Sequence, residues 1–333
     1  MNLGSQFARA VRKGSLFFVL CGGGTLVINE DMDQMYNQIC IKTTFVLFLS
    51  AFLLLSGCTS GANTRRVEQE QFGTIPLQYP VVLVHGIVAH DRETAIIDFW
   101  GRIPERLGRH GVEVYFGNTD AWGSYESNAA ILKTTIEEIL EKTNSKKVNI
   151  IAHSKGGLDS RYLIWKYDFG DKVASLTTIA TPHRGAEIAD LIYQQEFIHS
   201  DIARRALEVF GTVYGDTNPN LYNVEVQLTT GYMKEFNEKV IMDDRVYFQS
   251  IYTTMRHPMD DIVYYYSNQY LQYVAGENDG IVSEYSARWG DNITKIEGIS
   301  HLEIIDIKKR DISGMDIPAI YINIVQQLAE MGF

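Results

Sequence analysis

Three cysteines occur in 333 residues, Cys21, Cys40 and Cys58, and none lies beyond Cys58. A disulfide framework in a domain that follows is therefore excluded, and bridges say nothing about compartment. Positive charge is also in short supply. Thirty lysines and arginines stand against 41 aspartates and glutamates, a net charge of −11. Phosphate backbones are bound by basic faces, so no nucleic-acid partner is expected. Strongly apolar runs are scarce too, with a single one at residues 45–55. Internal repeats and low-complexity tracts are absent. What is present is a chain 45% hydrophobic, long enough for one large α/β domain or two small ones.

The one apolar run follows Lys42 and ends at Leu55-Ser56-Gly57-Cys58. It is short for a bilayer span and suits the core of a signal peptide. The last four residues resemble the bacterial lipobox, which implies a lipidated Cys58 as first mature residue. An ordinary signal peptide or a membrane anchor helix is the plainer alternative. Thr59, where an aspartate would retain the protein at the inner membrane, implies an exported lipoprotein of the cell envelope, delivered to the outer membrane. Met35 offers a conventional signal-peptide start, so residues 1–34 read as an extension. Residues 1–57 are thus expected to be leader, 58–78 a polar tether, and 79–333 one catalytic domain.

Within that domain Pro80 to Val84 is a continuous apolar run, which predicts a strand buried on both faces and hence a parallel sheet. Helices are predicted at Phe99–Arg109, Gly123–Thr143 and Asp159–Lys166, the second from apolar spacing at Leu132, Ile136 and Ile139. Strands are predicted at Val112–Phe116, Val148–Ala152, Val173–Thr181 and Val246–Thr253, with a strand end near Ile293–Ile299. Ile262–Val274 is expected to be helical, and the last helix runs Ile317–Met331. Alternating strands and helices predict a doubly wound, mostly parallel α/β sheet. Residues 186–240 carry no strand signal, and an insertion there lies over the carboxyl ends of the strands. We read it as a helical cap; a pair of ordinary packing helices is the alternative.

The chemistry gathers at Ala152-His153-Ser154-Lys155-Gly156-Gly157. A strand, a sharp turn and a helix in that order match a nucleophile elbow, with small residues two before and two after the serine to relieve crowding. Ala152 stands where the pattern has glycine. A serine hydroxyl is a poor nucleophile at neutral pH and needs a base and an orienting carboxylate. In this fold the chain order is serine, acid, histidine. Of the downstream histidines His183, His199, His257 and His301, only His301 comes late, and Asp279 sits in a turn before it. Asp120, at the end of an earlier strand, is the competing acid.

Five segments in order now resemble the bacterial triacylglycerol lipases of the α/β-hydrolase superfamily. They are Val84-His85-Gly86-Ile87, the Ser154 elbow, Ile179-Ala180-Thr181-Pro182-His183-Arg184-Gly185, Asn278-Asp279-Gly280-Ile281-Val282 and Ser300-His301-Leu302. The resemblance implies an α/β-hydrolase fold with Ser154 as nucleophile, His301 as general base and then acid, and Asp279 as its orienting carboxylate. It also implies an oxyanion hole from the backbone N–H groups of Ile87 and Lys155, with no role for the Lys155 side chain. His85, His153 and His183 are expected to pack beside the site. Some relatives hold the histidine loop with calcium; here the matching ligands are Glu303 and, loosely, Asp260 or Asp261. Apart from that possible structural calcium, no cofactor is required.

These readings predict an exported serine hydrolase acting on a lipid or ester substrate, a triacylglycerol lipase, attached to the membrane through lipidated Cys58. A short-chain carboxylesterase, phospholipase, thioesterase or acyltransferase shares the triad. From outside the enzymes come a catalytically silent hydrolase-like binding protein and a membrane-anchored structural protein.

Overall fold

The computed structural model describes residues 73–87, 99–194, 216–217 and 219–333. The expected leader, Cys58, His199, most of the tether and the middle of the cap lie outside the described residues.

Six strands form one sheet: β1 (Val81–Val84), β2 (Val114–Phe116), β3 (Val148–His153), β4 (Val173–Ile179), β5 (Tyr247–Thr254) and β6 (Asn292–Glu297). Every pairing is parallel and the order is β2-β1-β3-β4-β5-β6. The order reverses between β1 and β3, so the carboxyl ends of these strands open a crevice at a topological switch point.

The run of apolar residues in β1 serves both faces, because successive side chains alternate across a strand. Val81 and Leu83 pack with Ile151, Ile103, Leu107 and Tyr321 on one face. Val82 and Val84 pack with Ile150, Leu132, Ile136 and Leu163 on the other. The helices that supply those partners are α1 (Ile103–Arg109), α2 (Tyr125–Thr143), α3 (Lys155–Lys166) and the C-terminal Ile317–Glu330. This is the expected doubly wound α/β architecture.

Helix boundaries follow local chemistry. Ser124 caps α2 by accepting the Ser127 N–H at 3.2 Å, and Asn144 ends it in the left-handed region. The first helix starts at Ile103 rather than Phe99, because Pro104 favours the first turn and Gly101 has φ +49°. Phe99 and Trp100 instead form a buried turn. Val112 is spent on closing α1, its N–H bonding Leu107 O, so β2 begins two residues later than expected. The helix after Ser154 begins at once, at Lys155, and runs through the expected Asp159–Lys166 stretch.

Described parts of residues 186–240 are helical: α4 (Glu187–Tyr193), α5 (Leu221–Gln227) and α6 (Thr230–Lys239). The insertion is clasped to the loop after β2. Asp216 accepts the N–H groups of Ala121 and Trp122, and Thr217 donates both its N–H and hydroxyl to Asp120. Beyond β5, Ile262–Tyr264 makes a 3₁₀ turn that leads into α7 (Tyr265–Val274), and α8 (Glu284–Ala287) follows. The C-terminal helix is α9. No helix among the described residues is long and apolar enough to cross a membrane.

Candidate active site

Ser154 sits between the end of β3 and the start of α3 with φ +53° and ψ −129°. A non-glycine residue in that region is strained, and the strain persists only where the surroundings impose it. They do so here. Ser154 N–H donates to Ile179 O at 2.8 Å, and the Thr181 hydroxyl donates to Ser154 O at 2.8 Å. Glycines let the neighbouring backbone close in. A Cβ on Gly156 would lie 2.6 Å from Val84 O and strike His85 O as well. The crowding expected at the second residue after the serine is therefore against the end of β1. Gly157 is equally constrained, since its Cβ would meet Thr181 Cγ2 at 2.8 Å. The role of Gly157 is not legible in the sequence, because Thr181 comes from the loop after the next strand.

His301 follows β6 in the loop opened by Gly298 (φ +85°). Its Nε2 is 3.0 Å from Ser154 Oγ and its Nδ1 is 2.8 Å from Asp279 Oδ2. A carboxylate only accepts, so Nδ1 carries the proton and Nε2 presents its lone pair to the serine O–H. Asp279 is itself saturated: Oδ1 accepts the N–H groups of Ile281 and Val282, and Oδ2 also accepts the Thr253 hydroxyl. The His301 N–H donates to Asp279 O, fixing loop to loop. Ser154 and His301 are 6% and 5% exposed, so the pair works in a nearly closed space where electrostatic interactions are strong.

Gly86 and Lys155 adjoin Ser154. A Cβ on Gly86 would lie 2.8 Å from Ser154 Cβ and 3.3 Å from its Oγ, so the absence of a side chain there lets the backbone just before Ile87 approach the serine. Lys155 is the first residue of α3, where unpaired N–H groups concentrate positive potential. The Lys155 side chain is committed elsewhere, contrary to the expectation that it does nothing. Its ammonium is buried 2.6 Å from Asp159, and Asp159 also accepts from Asn128. Burial still raises the Asp159 pKa against the pull of Lys155.

The remaining histidines are placed apart from the chemistry or behind it. His183 is fully buried, held by Thr178 and Arg161 and stacked on Trp289. His257 lies on the surface beside Asp260. His85 bonds Gly86 O and the Thr119 backbone and packs edge-on against Phe99. His153 points its Nε2 at the backbone oxygen of His301, 2.9 Å away. Burial, reinforced by nearby His301, holds the His153 pKa well below the ordinary histidine value, so it is neutral. The Asp120 carboxylate is occupied by Thr217 and is no part of the serine–histidine chain.

Of the ligands expected for calcium, Asp260 is taken up by the Arg256 N–H and the His257 ring instead. Asp261 and Glu303 do converge, yet the ammonium of Lys308 stands between them at 3.1 and 2.7 Å. Two carboxylates already matched to an internal cation do not suit a calcium ion. Among the described residues no group of three or more histidine, cysteine, aspartate or glutamate side chains is arranged to hold a metal.

Parallel sheet, strained serine and the relay of His301 and Asp279 together define the α/β-hydrolase class. A family model described as palmitoyl protein thioesterase matches residues 80–306. The chain is 30% identical over 267 residues to triacylglycerol lipase 2 of Saccharomyces cerevisiae, covering 71% of this chain and 75% of that protein. It is 32% identical over 176 residues to a triacylglycerol lipase of Burkholderia plantarii, covering 51% of this chain. Only 48% of that lipase is spanned, so the chain spans about half the length of this bacterial relative. The crystal structure of Staphylococcus hyicus lipase superposes with a TM-score of 0.61 at 17% identity, over 82% of this chain and 99% of that one, and is similar in fold. The chain belongs to this family of lipases and palmitoyl protein thioesterases within the α/β-hydrolase superfamily.

Proposed function

We propose that this chain is a serine hydrolase that cleaves acyl esters of lipids, acting as a triacylglycerol lipase through an acyl-serine intermediate. The observation that carries the reading is the chain Ser154 Oγ, His301 Nε2, His301 Nδ1, Asp279 Oδ2, held at 3.0 and 2.8 Å. In the reaction, Ser154 Oγ attacks the ester carbonyl carbon while His301 Nε2 takes the hydroxyl proton. Negative charge on the carbonyl oxygen is met by the N–H groups of Ile87 and Lys155. Collapse expels the alcohol, which receives the proton from His301, and leaves an acyl ester on Ser154. Water, deprotonated by His301, then releases the fatty acid and restores the serine.

Export as a lipoprotein belongs to the same proposal: Cys58, lipidated, anchors the domain to the outer membrane beside its substrate. Its support is the sequence Leu55-Ser56-Gly57-Cys58 after an apolar run. Two or three acyl chains on one cysteine suffice for stable anchoring. Cys58→Ala should release the enzyme from membranes and abolish labelling by radioactive palmitate.

A second reading, hydrolysis of long-chain acyl thioesters, is favoured by the family model that spans residues 80–306. The same triad serves it. Turnover of p-nitrophenyl esters from short to long acyl chains, beside emulsified triacylglycerol and palmitoyl thioesters, separates the two. Ser154→Ala should remove all of these activities and the labelling by a fluorophosphonate probe while the protein stays folded. A wild type that neither labels nor turns over any ester would refute the proposal and leave a silent binding protein.

A further inference from the structure

Three charged side chains meet directly behind the histidine loop. Asp261 lies on the segment between β5 and α7, Glu303 and Lys308 in the loop after β6. Both carboxylates are almost fully buried, and Lys308 reaches in from the surface with its side chain 29% exposed. The same two carboxylates also grip Ser300, the residue before His301. Glu303 Oε2 accepts the Ser300 N–H at 3.0 Å, and Asp261 Oδ2 accepts the Ser300 hydroxyl at 2.8 Å. Two buried carboxylates converging on one residue repel each other strongly unless a cation stands between them. The chain supplies that cation itself.

We propose that Lys308 is a built-in cation that positions the His301 loop, standing between Asp261 and Glu303 where a metal ion would otherwise be needed to hold two carboxylates together. The proposal rests on the esterase reading for its kinetic consequences, though not for its structural ones. Lys308 touches neither substrate nor reacting atoms and is a positioning residue. It offsets the repulsion between Asp261 and Glu303, which then hold Ser300 and keep His301 Nε2 on the serine. One ammonium leaves the cluster with one net negative charge, whereas a divalent ion would balance it. Deleting the ammonium from the solvent side should therefore open a site of two carboxylates, the Ser300 hydroxyl and water, the hard oxygen donors that calcium accepts.

The test compares wild type, Lys308→Ala, Lys308→Arg and the double variant Lys308→Ala/Asp261→Asn, each in EDTA and in millimolar calcium chloride. Thermal midpoint and steady-state kinetics are both read. Wild type and Lys308→Arg should be indifferent to either addition. In EDTA, Lys308→Ala should melt several degrees lower and lose about tenfold in kcat with KM little changed, the signature of a misplaced catalytic group. Calcium should restore most of both in Lys308→Ala and neither in the double variant. Loss of wild-type midpoint in EDTA, full activity of Lys308→Ala without calcium, or a folded Lys308→Ala that calcium leaves unchanged would each overturn the proposal. If Lys308→Ala does not fold, the wild type and Lys308→Arg decide: insensitivity to EDTA supports the internal cation, and sensitivity refutes it. A wild type inactive on every ester but with these melting responses would refute the esterase reading alone.

Discussion

His153 Nε2 lies 2.9 Å from the backbone oxygen of His301. The residue before the nucleophile thus holds the residue that activates it through its backbone, while Asp279 holds its ring. Because His153 is kept neutral by burial, it donates one N–H and brings no charge near the site. The rings of His153 and His301 are 4.7 Å apart, and Phe99 packs edge-on against His153.

Replacing His153 with phenylalanine keeps the packing and deletes the donor. An orphaned buried carbonyl costs about 1–3 kcal/mol, expressed here as a looser His301. Steady-state kinetics should show kcat reduced roughly tenfold with KM nearly unchanged. An unaltered kcat would show that Asp279 and the loop hold His301 unaided.

Asp279→Asn should lower kcat by about 10⁴, because an amide can present its N–H to Nδ1 and so favour the imidazole tautomer with Nε2–H facing the serine. Asp120→Asn should leave kcat within a few-fold, since that carboxylate binds Thr217. The reverse pattern would transfer the orienting role to Asp120.

Lys155→Met preserves the backbone N–H beside the serine and removes the partner of Asp159. Breaking a buried pair from one side costs about 3–5 kcal/mol, so denaturant unfolding at pH 7 should show a loss of that order. The deficit should shrink as pH falls, because Asp159, already raised by burial, then takes up a proton. A pH-independent deficit would mean that lost packing, not charge, is responsible.

Gly156→Ala and Gly108→Ala form a contrasting pair. The first forces a methyl group into the backbone oxygens of Val84 and His85, and overpacking of about 1–3 kcal/mol or outright failure to fold is expected. The second sits in α1 with nothing within 4 Å of the added carbon and should stabilise by about 0.5–1 kcal/mol. Thermal melts of the two variants beside wild type measure both.

Glu225, in α5, has a carboxyl oxygen with no hydrogen-bond partner among the described residues, and burial pushes its pKa up to about 7. The unfolded chain releases this proton near the ordinary glutamate value. Between about pH 4.5 and 7 the folded state therefore binds more protons, and stability from this group falls as pH rises. Glu225→Gln should flatten that dependence and raise the melting temperature at pH 8. A variant whose melting temperature at pH 8 equals wild type would show that Glu225 titrates normally.

The sequence by itself determined the parallel sheet, the elbow and the order of serine, acid and histidine. Those signals are local: a buried strand reads as a continuous apolar run, and the turn at Ser154 demands small residues within two positions. Tertiary structure decided which side chains complete each other. His301 reaches Ser154 across 147 residues of sequence, and the sheet order that brings β6 loops over β3 is not written in either segment. Asp260 and Asp261 are indistinguishable as neighbours in sequence, yet one faces Arg256 and the other enters the core to meet Glu303. The cation between those carboxylates was invisible for the same reason. A lysine five residues beyond Glu303 reads as a solvated charge until the fold folds its loop back, and only burial makes the ammonium's position matter.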